Sequence, residues 1–178
     1  MYRDILRFWF DETDPKLWWA ADPDFDALIR RRFLPLMQRA ARAELHGWRT
    51  TAPGRLAEIL LLDQFPRNVY RNSPQAFAQD PQALVLAQEA VAAGALTQLG
   101  PEPRDFLLLP YMHSESRQIQ AESVALHQGF ASASSYDFAL RHQAIIDRFG
   151  RYPHRNAILG RTSTPEELAF LEQPGSRF

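Results

Sequence analysis

Proline sits again and again at the beginning of helical stretches, and this pattern constrains the fold more than any other feature of the chain. Proline lacks an amide hydrogen and has a fixed φ, so it suits the first turn of a helix and is costly inside one. Asp22-Pro23, Ser73-Pro74, Asp80-Pro81 and Thr164-Pro165-Glu166-Glu167 each read as a helix start, the last with the form of a capping box. Thr51-Ala52-Pro53 and Pro103 mark two more. Apolar residues then recur at helical spacing: Phe25, Leu28, Ile29, Phe33, Leu36 and Met37 after Asp22, and Leu56, Ile59 and Leu60 after Thr51. Pro35 is expected to kink or divide the first of these helices, Pro66 to close the second, and Pro110 to interrupt the stretch that Pro103 opens. The segments Ser114–Gly129 and Ser135–Phe149 also read as helices, and Gly94 as a C-terminal stop.

No segment alternates cleanly, and no Asn-Gly or Asp-Gly turn occurs, so the fold class is all-α. Short links favour antiparallel helix neighbours. Gly94 and Gly129 lie 35 positions apart, near the period of tetratricopeptide helix pairs. The expected arrangement is therefore antiparallel helix pairs in a tetratricopeptide-like superhelix or bundle. A chain of 178 residues is expected to form one domain, with residues 173–178 as a loose tail.

Composition removes several function classes. With no cysteine there is no disulfide, no thiolate catalysis and no cysteine-bound metal. A net charge of −1 gives no global field for nucleic acid or an anionic membrane. No run approaches the roughly 18 apolar residues of a membrane span, and Met1-Tyr2-Arg3-Asp4 does not begin a signal peptide, so a cytoplasmic protein is expected. Any cationic site must be local, and Arg148-Phe149-Gly150-Arg151-Tyr152-Pro153-His154-Arg155-Asn156 is the obvious place for one. From Arg141 to Arg161 there are five arginines and one aspartate. Glycine and proline end the preceding helix there, leaving the cations on a shaped turn. Such a turn suits an anion or the chain's own carboxylates.

Two further constellations offer partners. In Leu61-Leu62-Asp63-Gln64-Phe65-Pro66-Arg67-Asn68, Asp63 falls on or beside the apolar face and needs a counter-charge, which the Arg148–Arg155 turn can supply. In Tyr111-Met112-His113-Ser114-Glu115, Ser114 reads as a helix cap and Glu115 as a first-turn acid. His113 and Glu115 together would also make an acid–base pair. His142 shares an apolar stripe with Phe138, Ile145, Ile146 and Phe149 and reads as a core histidine, whereas His154 lies on the polar turn. Ligand spacing for a local metal site is absent, as are phosphate-loop and dinucleotide motifs, so no metal or cofactor is expected. Among the aromatics, Trp18-Trp19 stand in a loop-like stretch suited to covering a groove or touching a partner.

These constellations, in this order, resemble a bacterial family known as domain of unknown function 924. The resemblance rests on Leu62 to Asn68, on Pro110 to Glu115 with Gln118, and on His142, Ile145-Ile146, Arg148 to Arg151 and Pro153 to Asn156. It continues through Leu159-Gly160-Arg161-Thr162-Ser163-Thr164, and it includes Ile5 to Phe10 and Ile29-Arg30-x-Arg32-Phe33. Tyr152 stands where the family more often has Phe. The resemblance implies a helical, tetratricopeptide-like fold and no particular activity. The leading expectation is a pocket for a small anionic ligand. Arg67, Asn68, Arg148, Arg151, Arg155 and Asn156 would bind it, and His113, Glu115, His154 and Asp63 would supply acid–base chemistry. The rival is a scaffold for a protein or peptide partner, in which the polar motifs are internal struts.

Overall fold

The computed structural model describes residues 1–176. Among them there are ten α-helices and no strand. The helices are α1 (Tyr2–Leu6), α2 (Pro23–Ala41), α3 (Ala52–Leu62), α4 (Gln64–Val69), α5 (Asp80–Ala92), α6 (Ala95–Gln98), α7 (Pro101–Met112), α8 (Arg117–Phe130), α9 (Ala133–Phe149) and α10 (Pro165–Leu171). A π-helical segment, Arg7–Glu12, continues α1.

Local chemistry accounts for most of the starts. Asp22 accepts the amides of Asp24 and Phe25, and Thr51 accepts that of Gly54. Thr164 and Glu167 exchange both bonds of a capping box. Gly94 and Gly150 adopt φ of 74° and 70°, which a side chain would strain, and they follow α5 and α9.

Several expected boundaries move. The helix from Pro23 runs undivided through Pro35, because the Arg31 carbonyl that loses its partner lies on the exposed face. α3 stops at Leu62 and not at Pro66, which instead occupies the first turn of α4, where its missing amide hydrogen has no partner to lose. Pro110 falls in the last turn of α7 and does not interrupt it. Ser73-Pro74 opens only a short 3-10 turn, Pro74–Ala76. Ser116 caps α8 in place of Ser114, and Ser132 caps α9 in place of Ser135. Gly129 lies inside α8, and α6 and α7 stand between it and Gly94, so the 35-residue interval does not separate successive helix ends.

α3 is the centre of the packing and touches α1, α2, α5 and α7. α8 lies on α7, and α9 lies on α8. The main core gathers Phe8, Trp9, Phe25, Phe33, Phe65 and Phe106 among aliphatic residues, with neighbouring ring centroids 4.9–6.2 Å apart. A smaller cluster of Ile145, Ile146 and Tyr152 with Phe149 and Phe170 joins α9 to α10. Of the expected tail, residues up to Ser176 turn back, and the Ser176 hydroxyl donates to the Leu171 carbonyl. The remainder lies outside the described residues.

Candidate functional site

The α3–α4 junction places Asp63 inside the protein with no exposed surface. Its carboxylate faces His113 Nδ1 at 2.7 Å and Arg67 at 3.3 Å, and it accepts from Gln64 Nε2. Burial alone would raise its pKa. The positive charge of Arg67 and the bonds from His113 and Gln64 outweigh burial and hold the carboxyl well below the usual range. An ionised carboxylate on Nδ1 requires the proton there, which leaves Nε2 of a neutral ring as an acceptor. Among the described residues no group hydrogen-bonds Nε2, and the ring is 15% exposed. Burial, followed by Arg67, pushes the His113 pKa down against the pull of Asp63, so the neutral form dominates near pH 7.

Arg67 also grips Asp80, the first residue of α5, with bonds of 2.9 and 3.0 Å from its two terminal nitrogens. Arg155 reaches the same carboxylate at 3.3 Å and donates to the His113 carbonyl at 3.1 Å. Its guanidinium carbon lies 4.6 Å from the Phe77 ring centroid and 4.7 Å from that of Tyr152. The Arg155 Nε is buried without a hydrogen-bond partner. Two guanidiniums thus balance two carboxylates beside one neutral imidazole.

The segment that carries His113 is held from behind. Tyr152 donates its hydroxyl to the Met112 carbonyl at 2.5 Å. Gln120 Nε2 lies 2.9 Å from the Met112 carbonyl and 2.7 Å from that of Ser114. Together with Arg155, these side chains occupy the carbonyls of residues 112, 113 and 114. Tyr152 is fixed in turn, since its amide donates to Glu115 and its carbonyl accepts from Arg161.

The sequence-selected residues therefore divide into groups. Asp63, Arg67, His113 and Arg155 come together. The arginine beside Asp63 is Arg67, one helical turn away, and not one from the Arg148–Arg155 turn. Glu115 is not the partner of His113: it precedes α8 and holds Arg161 in a two-pronged pair at 2.7 and 2.9 Å. Arg148 turns outward to Glu166, and Arg151 binds Glu167 at 2.7 and 2.8 Å. Asn156 is buried and joins Ser163 and Glu167 to Arg161. Asn68 points to Asp26 on α2, away from the cluster's arginines. His154 is largely buried against the Tyr152 ring, and burial with Arg155 and Arg67 takes its pKa down to about 4. His142, buried edge-on to Tyr152, donates from Nδ1 to the Phe138 carbonyl, and burial lowers its pKa to about 3.

Sequence reasoning did not select Asp80, Gln120, Tyr152, Arg161 or Glu167 for the site. Asp80 was legible only as a helix start, yet its side chain makes no cap bond. A groove of about 710 Å³ lies elsewhere, between α1, the π-helical segment, α3 and the start of α7. Trp18 is tied by its indole nitrogen to the Trp9 carbonyl, while Trp19 is 69% exposed and stacks on Phe106. Among the described residues no group of three or more His, Asp or Glu side chains is arranged to hold a metal ion.

The family model described as bacterial protein of unknown function, DUF924, matches residues 5–175. A solved structure of a protein of unknown function from Agrobacterium tumefaciens, ATU0120, is similar over 96% of both chains, with 39% identity and a TM-score of 0.91. No curated protein matches.

Proposed function

The chain belongs to the DUF924 family of bacterial proteins, and we propose that its Asp63–His113–Arg67–Arg155 cluster binds a small anionic ligand, with His113 as the acid–base group. One observation carries this reading. A buried, ionised carboxylate fixes the His113 tautomer and leaves Nε2 as the basic nitrogen of the ring beside two arginines. Arg67 and Arg155 would supply the positive field for the ligand, and His113 would exchange a proton with it or with water. Glu115 and Arg161 would hold the supporting turn, and Arg148, Arg151 and Asn156 would anchor α10. The proposed setting is the cytoplasm.

The test is thermal unfolding with inorganic phosphate or acetate at constant ionic strength. At a ligand concentration 100 times the dissociation constant, binding should stabilise the protein by about 2.7 kcal/mol. That gain should shrink in Arg67→Lys, which keeps the charge and loses the planar fork. If neither anion raises the Tm of the wild type by more than it raises that of Arg67→Lys, the proposal fails.

The large groove and the exposed Trp19 favour a second reading, a tetratricopeptide-like scaffold for a protein or peptide. Trp19→Ala would then abolish capture of a reproducible partner, and unchanged capture would count against this reading.

A further inference from the structure

We infer that Asp80 occupies the seat of the ligand's own carboxylate and must leave it for the ligand to bind. This rests on the anion-site reading above and names both the ligand class, a carboxylate, and the contact that masks the site.

Three observations carry the inference. The first is geometric. Arg67 grips Asp80 through a planar fork, and Arg155 adds a third contact at 3.3 Å. A guanidinium fork matches the two oxygens of a carboxylate, and Asp80 demonstrates the fit. The second concerns which carboxylate can leave. Asp63 has no exposed surface and is bound by His113, Arg67 and Gln64. Asp80 is 15% exposed, beside Arg67 at 21%. It heads α5 without capping it, so its departure removes no helix-end bond. The third is a spare donor. Arg155 is 6% exposed overall, and its Nε has no partner while its guanidinium lies close to the Phe77 and Tyr152 rings. A buried guanidinium with an unused donor is costly, so with Asp80 in the seat Arg155 is left incompletely satisfied, held to that carboxylate by one contact alone.

Charge sets the requirement for replacement. With Asp80 withdrawn, Arg67 and Arg155 face only Asp63, and the cluster carries one uncompensated positive charge. An incoming carboxylate restores the balance and stands beside His113, whose ionisation already responds to the charge of Asp80. The wild-type seat is therefore self-masked. Its apparent affinity is the intrinsic affinity multiplied by the fraction of molecules in which Asp80 has swung out.

The experiment is an NMR titration of the full chain with acetate, with inorganic phosphate, and with chloride as the ionic control. It follows the Arg155 Nε–H signal and the Asp80 carboxyl carbon, and it compares wild type with Asp80→Ala. We expect acetate to shift the Arg155 Nε–H signal of the wild type and to move the Asp80 carboxyl carbon toward the position of free aspartate. If Asp80 masks the seat nine-tenths of the time, Asp80→Ala should bind acetate about tenfold more tightly. A responding Arg155 with an unmoved Asp80 carboxyl would overturn the inference and leave the anion site standing. So would equal affinity in the two proteins. Tighter binding of phosphate than acetate in both would overturn the carboxylate assignment. Acetate binding by the variant alone would support the masking contact and remove the proposed wild-type function. Silence in both proteins would remove both. Should Asp80→Ala fail to fold, Asp80→Asn, which keeps the side chain's shape and removes its charge, takes its place in the comparison.

Discussion

His142 and His154 are held neutral by burial, with pKa values near 3 and 4 against an ordinary imidazole value near 6.5. The unfolded chain takes up protons on these rings at a pH where the folded chain does not. Their contribution to stability is therefore complete above pH 6.5, and it is lost as pH falls toward the folded values. Between pH 7 and pH 5 each should remove up to about 2 kcal/mol. Urea unfolding at the two pH values checks this, and His154→Gln should flatten the dependence. Asp63 acts in the opposite sense and in another window. Its depressed pKa contributes stability above the ordinary carboxyl range and loses it only in strong acid. Asp63→Asn should cost roughly 3 kcal/mol, since it removes the fully buried one of the two carboxylates that hold Arg67 and leaves Asp80 alone to balance two guanidiniums, and it should lower the His113 pKa further. Denaturant unfolding and imidazole NMR read the two effects. At this scale the sequence was informative about which residues are polar and poorly placed for solvent. Asp63 on an apolar face had to be paired. Which arginine would pair it depended on side-chain reach within one helical turn, and the more distant Arg148–Arg155 turn proved to serve other carboxylates.

Helix starts were legible because caps are local. Asp22, Thr51 and Thr164 bond amides within three residues, so neighbouring sequence contains the whole interaction. Helix ends and interruptions were less legible, because a proline inside a helix is tolerated or not according to whether the carbonyl it frees meets solvent or lies in a last turn. Gly54 shows a tertiary demand that no pattern announces. A Cβ there would lie 2.0 Å from the Trp48 carbonyl oxygen, so the loop of residues 46–50 closes over α3 only because the residue is glycine. Alanine normally favours a helix, yet Gly54→Ala should destabilise the protein by about 1–3 kcal/mol through overpacking. Chemical denaturation would show the loss, and a gain in stability would contradict it.

At the scale of the whole molecule, two apolar clusters of unequal size divide the work among the described residues. The large one unites α1 to α8 and part of α9, and the small one joins α9 to α10 through Tyr152 and Phe170. α10 depends on Arg151, whose fork with buried Glu167 is its main polar anchor. Arg151→Ala should speed amide exchange in residues 165–171 by roughly tenfold or more, on the scale of a lost charged hydrogen bond, and leave α3 and α7 unchanged. Exchange rising equally in α3 would show that α10 opens only with the whole fold. The sequence by itself determined that this chain is all-helical, because proline placement, caps and apolar spacing are written into short windows. It also determined which polar residues needed partners, because burial of a charge near an apolar face is forbidden without one. Only the tertiary structure decided the partners themselves. Asp63 with His113 spans 50 residues, and Asp80 with Arg155 spans 75. Such pairings are selected by how helices pack, and the packing depends on the fit of many side chains at once, which no short window contains.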